Sequence, residues 1–401
     1  MIGCTQPTRV ATIALARRVA SERGSRLGEE VGFAALFGQN YDVNMTDENQ
    51  YMTDDHLIRE MMSILYSQST RFLYDEAHER NLFTDVIFGL LRKIRVRRPD
   101  LRLVISSATI EAETFVKFFE RGKQNRGTSV ILSVSSARNY PIDIMYLEKP
   151  ISNYIETAVQ TTLQIHRRER PGNFTYFLSR HIEPSWTHSH KTGTILVFMP
   201  SMDEVESVAR ELRDRNTTRQ GQMQFSVQRL YQDLSTRQQL RALEPARQGV
   251  RKIVIATSIA ETSVTIQDVR YVVDSMFTKI PAYNPLTSSE SFVVQPVSKA
   301  SAIQRAGRAG RQQAGKVYRL CTENDFESTL REHTVPEMQR KSLAWIVLQL
   351  KALGVDDVLH FDFVSPPSSA ALSDGLELLF ALGAIDEHGK LTDPLGLNMA
   401  E

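Results

Sequence analysis

Asp75-Glu76-Ala77-His78 closes a short apolar run, and far downstream Gln304-Arg305-Ala306-Gly307-Arg308-Ala309-Gly310-Arg311 sets three arginines among small residues. Adjacent carboxylates suit a divalent cation and an activated water, and planar guanidinium groups suit the charge that develops on a transferring phosphoryl group. In that chemistry Asp75 is the expected magnesium ligand and Glu76 polarises the attacking water. Gln304 orients the water, and Arg308 and Arg311 meet the developing charge. The spacing of the arginine run predicts a helix with several guanidinium forks on one face. Taken alone, the acidic tetrad also fits a surface loop and the arginine run a solvated basic face; their joint presence points to nucleotide hydrolysis. The third part of such a site, a G-x-x-x-x-G-K-[ST] loop to grip the phosphates, does not occur in the 401 residues.

Two further segments belong beside these. Ser107-Ala108-Thr109 follows the apolar stretch Leu103-Val104-Ile105, so its hydroxyls are expected at the same sheet edge as the acidic pair, where they can sense a phosphate; alone it is an ordinary strand-end turn. Ile253 to Ile266 joins an apolar strand to Ala260-Glu261-Thr262-Ser263, a polar turn suited to phosphate or sugar contacts and expected to open a capped helix.

The elements that must carry these residues are legible as alternation. Ile2 to Thr5 reads as a strand, Val10 to Arg23 as a helix, Arg71 to Tyr74 and Leu101 to Ser106 as strands, and Ala112 to Phe119 as a helix. A second series starts near Tyr154 and includes Thr194 to Met199, Met202 to Arg213, Lys252 to Ala256 and Tyr271 to Asp274. Such alternation implies α/β architecture with parallel sheets covered on both faces, and it delivers Asp75 and Glu76 to the carboxyl edge of a sheet, where ligands bind. From about Glu323 the period changes: Leu343, Ile346, Val347, Leu350 and Leu353 form one helical stripe, Pro366-Pro367 interrupts it, and Leu372, Leu376, Leu379 and Phe380 form another. Gly389 to Gly396 is expected to turn as a short β hairpin. Pro171 to Lys191 holds Trp186, Phe174, Tyr176, Phe177 and His181, His188 and His190 with neither helical nor strand period, and reads as an insertion whose histidines match no metal-ligand spacing.

Bulk properties narrow the class. An apolar fraction of 41% with 24% charged residues is an ordinary globular balance, and 48 basic against 47 acidic side chains leave a net charge of +1, so any nucleic-acid grip depends on local placement. Cys4 and Cys321 are the only cysteines, which argues against a disulfide scaffold and for a reducing compartment. No apolar run reaches the roughly 18 residues of a membrane span, and no leader pattern opens the chain, so a soluble intracellular protein without membrane contact is expected.

The order Thr5-Gln6-Pro7, Thr53-Asp54, Asp75 to His78, Ser107 to Thr109, Ala256 to Ile266 and Gln304 to Arg311 resembles the DEAH-box RNA helicases, superfamily 2 motors of the kind that remodel the spliceosome. The resemblance spans nearly the whole chain. It implies two tandem RecA-like parallel-sheet domains, residues 1–147 and 148–322 (the latter with the insertion near 171–191), followed by a small, mostly helical winged-helix domain at 323–401. It implies ATP and magnesium as cofactors and 3′-to-5′ movement on single-stranded RNA. Spliceosomal proteins, a helicase activator and a nuclear location are implied with them. Arg18 and Phe277 match positions that sandwich the adenine, while His78, Ser107, Thr109, Thr265 and Gln267 match positions around the nucleotide. Thr5, Gln6, Arg9, Thr53, Asp54, Thr257 and Thr262 match RNA-contacting positions, and Lys279 to Ser291 the strand-separating hairpin. The family's phosphate loop is expected before Met1, and its helical bundle and OB-fold after the winged helix, so the chain reads as a truncated form with weak ATP affinity. Departures accompany the likeness: Thr8 stands where an arginine is usual, Asp55 for glycine, Pro200-Ser201-Met202 for Thr-Gly-Gln, Ser258 for asparagine, Gln267 for aspartate and Met276 for glycine. The alternative is a non-catalytic protein that keeps the fold to bind RNA or a spliceosomal partner.

Overall fold

The computed structural model describes residues 2–35, 38–40, 49–66, 71–108, 112–121, 127–134, 140–167, 177–179, 193–216, 224–262, 264–285 and 287–400. They divide into two compact units, one comprising Met1–Ser133, Pro281–Phe292 and Val335–Glu401, the other Val134–Ile280 and Val293–Thr334.

In the first unit β1 (Ile2–Gln6), β2 (Val31–Ala35), β3 (Gly38–Asn40), β4 (Asn49–Thr53), β5 (Arg71–Tyr74) and β6 (Arg102–Ile105) form one sheet in the order β3-β2-β4-β1-β5-β6. All its pairings are parallel except β2 with β3. Parallel neighbours need crossovers, supplied by α1 (Arg9–Arg23), α2 (Asp54–Tyr66) and α3 (Leu82–Arg97), while α4 (Ala112–Phe119) follows the last strand of the sheet. The Thr8 hydroxyl accepts the Ala11 N–H at 3.3 Å and starts α1, and Gly24 closes it at φ 71°. The usual arginine position is therefore a helix cap here.

The second unit holds β7 (Ile142–Leu147), β8 (Phe177–Ser179), β9 (Thr194–Phe198), β10 (Gln224–Leu230), β11 (Val250–Ala256) and β12 (Val269–Asp274), with β15 (Gly315–Arg319), ordered β10-β11-β9-β12-β15-β7-β8. Between β12 and β15 the strands β13 (Phe277–Asn284) and β14 (Ser289–Pro296) form a separate two-stranded ribbon, whose tip belongs to the first unit. Every residue of β9 is buried, as expected of a central parallel strand covered on both faces. Helices α5 (Tyr154–Arg167), α6 (Met202–Asp214), α7 (Thr236–Leu243), α8 (Lys299–Ala306) and α9 (Glu323–Ser328) complete the unit, and Val205, Val208 and Leu212 of α6 pack with Ile195 and Val197 of β9.

The remaining helices, α10 (Ala344–Ala352), α11 (Ser369–Ala381) and α12 (Leu395–Ala400), join the core of the first unit, where Phe88, Leu91 and Phe118 share a cluster with Ile346, Leu350, Phe361 and Leu379.

The α/β alternation and the helical C-terminal segment are thus as the sequence implied, with local corrections. Ile142–Leu147, on the first side of the expected boundary at 147, pairs in the second sheet, because parallel register with β15 buries Met145 and Leu147. Three residues of the expected structureless insertion, Phe177–Ser179, form an antiparallel edge strand on β7; the rest of Pro171 to Lys191 lies outside the described residues. The expected hairpin at Gly389 to Gly396 sits slightly earlier. Ile385 bridges Leu391, Gly389 turns at φ 71°, and Leu395 and Gly396 already belong to α12.

Gly89 is the point of closest approach between α3 and the C-terminal segment: a Cβ there would lie 2.4 Å from the Phe361 ring and 2.6 Å from the Asp362 carbonyl oxygen. Gly89→Ala should therefore destabilise the first unit by on the order of 1 kcal/mol or more, the overpacking cost exceeding alanine's gain in helix propensity of about 1 kcal/mol. Urea denaturation followed by circular dichroism reads this directly, and an unchanged or raised midpoint would contradict the packing.

Candidate functional site

The carboxyl ends of β4, β1, β5 and β6 lie side by side and present Thr53, Gln6, Asp75 and Ser107 along one edge. Gln6 Nε2 donates to Asp75 Oδ2 at 2.7 Å, the Glu76 N–H donates to Asp75 Oδ1 at 3.0 Å, and the Asp75 N–H donates to Thr5 Oγ1 at 3.3 Å. Neutral donors thus fix both Asp75 oxygens while leaving each a second lone pair, which suits a hard cation held directly or through water. Among the described residues no cluster of three metal-ligating side chains exists.

Glu76 sits at φ 55° and Arg80 at φ 47°, so two non-glycine residues in the left-handed region bracket the turn Ala77–Glu79. Such strain persists only where surrounding contacts impose it. His78 supplies one: its Nδ1 accepts the Ala108 N–H at 3.1 Å, and its Nε2 lies 3.3 Å from Glu76 Oε2. The imidazole therefore ties the strand that leads to Ser107 to the carboxylate that would activate water. The Ala77 N–H bonds the Ser106 carbonyl at 3.0 Å and continues the same tie. Thr109 lies outside the described residues.

In the second unit the arginine run departs from the single helical face expected. Helix α8 ends at Ala306, and Gly310 turns at φ 74°. Arg305 is completely buried; its Nη1 lies 2.7 Å from Asp274 Oδ1 and 3.2 Å from the Phe277 carbonyl, and its Nε donates to Glu261 Oε1 at 2.8 Å. Its guanidinium also covers the Phe198 ring at 5.0 Å. Burial lowers the Arg305 pKa, but the two carboxylates outweigh it and hold the group above its ordinary range. Ser301 Oγ completes the cluster by donating to Glu261 Oε2 at 2.6 Å.

Arg308 and Arg311 lie beyond the helix, with Nη1 of Arg308 3.4 Å from the Val264 carbonyl and Nη1 of Arg311 3.4 Å from Thr265 Oγ1. Both therefore flank the segment carrying Thr265 and Gln267, while Gln304 is half-buried on α8. The helix expected after Ala260 is absent: a short turn, Ser258–Ala260, leads through Thr262 and Thr265 into β12. Ser263 lies outside the described residues.

Of the two residues expected to sandwich a nucleobase, Arg18 is exposed and paired with Glu22 at 2.8 Å, and the half-buried Phe277 ring leans on Tyr154 at 5.0 Å between centroids. Met276, where glycine is usual, adopts φ 66° while its side chain stays buried with Val297 and Ala302. Ser201 caps α6, with the Glu204 carboxylate accepting its N–H at 2.9 Å and its hydroxyl at 2.8 Å.

Of the residues expected on RNA, Thr5, Gln6, Thr53 and Asp54 are buried, and Thr5, Gln6 and Asp54 hydrogen-bond within the first unit, to Asp75, Tyr74 and Asn81. Arg9 is exposed, Thr257 half-buried and Thr262 buried. Asp54 Oδ2 accepts from Tyr74 Oη at 3.0 Å and from Asn81 Nδ2 at 2.8 Å. Sequence reading missed Glu261, Asp274 and Ser301; the only signal was an acidic residue inside a polar turn, and its partner became visible only in three dimensions.

The Helicase conserved C-terminal domain family matches residues 176–313, and the Helicase associated domain (HA2), winged-helix, matches residues 375–401. The chain is 43% identical over 408 residues to the proteins called Probable ATP-dependent RNA helicase DHX35 from Pongo abelii and Homo sapiens, covering 100% of this chain and 53% and 55% of theirs. It is 43% identical over 402 residues to the Caenorhabditis elegans homolog, covering 99% of this chain and 51% of that one. The chain therefore spans about half the length of the curated relatives it matches. Among solved structures, the Escherichia coli DEAH/RHA helicase HrpB superposes with a TM-score of 0.81 at 28% identity, over 100% of this chain and 46% of that one.

Two measurements test the internal contacts. Arg305→Met strands Asp274 as a buried, uncompensated carboxylate and should destabilise the second unit by roughly 3–5 kcal/mol; Arg305→Lys should recover only part of this, since a point charge cannot fork between two carboxylates. Denaturant midpoints of both variants decide it. For Asp54, burial pushes the carboxyl from 3.8 up to about 6 against the hydrogen bonds from Asn81 and Tyr74. The native state thus keeps a proton that the unfolded chain has released, so this group's contribution is fully present below pH 3.8 and is lost as pH rises through about 6. Asp54→Asn should remove that fall, a difference from the parent of roughly 3 kcal/mol across the window at about 1.4 kcal/mol per pKa unit. Parallel curves for the two proteins from acid to neutral pH would contradict it.

Proposed function

We propose that this chain, which belongs to the DEAH-box helicase family, supplies part of an ATP-dependent motor on single-stranded RNA. The observation that carries the reading is the anchoring at the carboxyl edge of the first sheet. There Gln6 and the Glu76 N–H hold Asp75, and His78 holds Glu76 against the strand leading to Ser107. Asp75 would hold magnesium, which when bound neutralises phosphate charge and favours in-line attack. Glu76 takes the proton of the attacking water, Gln304 orients it, and Arg308 and Arg311 stabilise the charge on the phosphoryl oxygens. Arg18 and Phe277 offer a guanidinium and an aromatic face to the nucleobase, which any purine satisfies. Thr257, half-buried, and Arg9, exposed, would meet the sugar–phosphate backbone, giving binding without sequence preference. Remodelling of nuclear ribonucleoproteins during splicing, with spliceosomal proteins and an activator as partners, is the finer part of the proposal, and family likeness is its support.

The second reading is an RNA-binding protein that keeps the fold without turnover. RNA-stimulated ATPase assays separate the two. This chain alone should hydrolyse ATP negligibly. Joined to an upstream segment bearing a G-x-x-x-x-G-K-[ST] loop it should turn over with RNA stimulation, and Glu76→Gln should lower the rate by about 10²–10⁴-fold. No turnover in either form would leave the binding protein, and equal stimulation by single-stranded DNA would remove the RNA assignment.

A further inference from the structure

The turn that follows the acidic pair is held by a segment far away in sequence. Arg80 keeps its left-handed backbone, φ 47°, while its carbonyl accepts the Glu337 N–H at 3.1 Å, and its Nη2 lies 3.0 Å from Asp85 Oδ2 and 2.8 Å from Ser365 Oγ. Two residues later the Leu82 N–H, at the first turn of α3, donates to Glu337 Oε2 at 3.2 Å. Glu337 therefore grips the end of the acidic turn with both its backbone and its carboxylate. The same carboxylate lies 3.3 Å from Arg340 Nη2 and 3.0 Å from Lys341 Nζ. Arg340 in turn reaches the ribbon tip: its Nη1 donates to the Pro281 carbonyl at 3.3 Å, and its own carbonyl accepts the Tyr283 N–H at 2.8 Å. The tip is fastened once more where the Ser342 N–H donates to Glu290 Oε1 at 3.1 Å. Glu337 and Arg340 are mostly shielded, with side-chain exposures of 20% and 15%, so solvent competes weakly for these bonds.

We propose that Glu337, through Arg340, is a positioning residue that joins the tip of the β13–β14 ribbon to the turn carrying Asp75 and Glu76. The proposal rests on reading that turn as the water-activating half of the nucleotide site. A strained turn needs contacts that over-determine it, and those at its C-terminal end come from Glu337 and Ser365 as well as from its neighbour Asp85. Because one carboxylate serves Leu82 and Arg340 together, a displacement of the ribbon tip alters the hold on the acidic turn without any change in the sheet beneath it. Ribbon position thereby becomes a determinant of where Glu76 stands.

Backbone amide hydrogen exchange of the full 401-residue chain tests this without ATP or RNA, so its failure is distinct from failure of the hydrolysis reading. Glu337→Leu should accelerate exchange in the peptide spanning residues 77–85 by about tenfold. Glu337→Gln, which keeps an acceptor for Leu82 but turns its amide NH2 toward Arg340, should recover only part of that protection and match Arg340→Met. Replacing Pro281–Phe292 by a short glycine–serine turn should accelerate the same peptide several-fold, and combined with Glu337→Leu it should add nothing. Arg340→Met, which leaves the Leu82 acceptor in place, should reproduce the effect of the tip replacement and serves as the deciding variant if Glu337→Leu unfolds. Unchanged exchange at 77–85 on tip replacement or in Arg340→Met, or accelerations that multiply in the double variant, would overturn the coupling.

Discussion

Two adjacent carboxyl groups at a sheet edge keep a fixed geometry only where donors from neighbouring backbone and side chains hold their oxygens. Asp75 meets that condition through Gln6 Nε2 and the Glu76 N–H, both uncharged donors on distinct oxygens. The surrounding architecture follows from the requirement. Strands β1 and β5 must be parallel neighbours for Gln6 to reach Asp75, and their in-register pairing, Thr5 opposite Tyr74, achieves it. Beneath the edge, Tyr74, Asp54, Asn81 and Thr84 form a buried hydrogen-bonded group that fixes the strand end and the start of α3. Such a group is rigid because leaving any member unsatisfied in a low-dielectric interior is costly.

The second unit solves a related problem with charge. Arg305 gathers the polar turn at Glu261, the end of β12 at Asp274 and the Phe277 carbonyl around one guanidinium. A planar fork can serve two carboxylates at once, which lysine cannot. The arginine most deeply placed in the run thus organises the segments that carry Thr262, Phe277, Arg308 and Arg311, while the two arginines beyond the helix stay nearer the surface.

Positions that differ from the usual family residues have local physical accounts. Thr8 caps α1 through its hydroxyl, and the Ser201 N–H and hydroxyl both donate to the Glu204 carboxylate at the start of α6. Met276 occupies a left-handed conformation in which glycine is unstrained, and burial of its side chain with Val297 and Ala302 offsets that strain.

The sequence by itself determined the alternation of strands and helices, the family likeness and the acidic and arginine motifs, because hydrophobic period and short-range spacing are local properties. It also put Asp75 at a strand end, since β5 is a plain apolar run. Spacing could not reveal that the arginine helix stops at Ala306 or that Arg305 faces inward, because both depend on Asp274 and Glu261 arriving from other strands and turns. Nor could it show Thr5, Gln6, Thr53 and Asp54 turned into the interior, or Glu337 fastened to Arg80 and Leu82. Those outcomes required the tertiary structure, for a buried charge or a strained turn is stable only when partners distant in the chain converge on it.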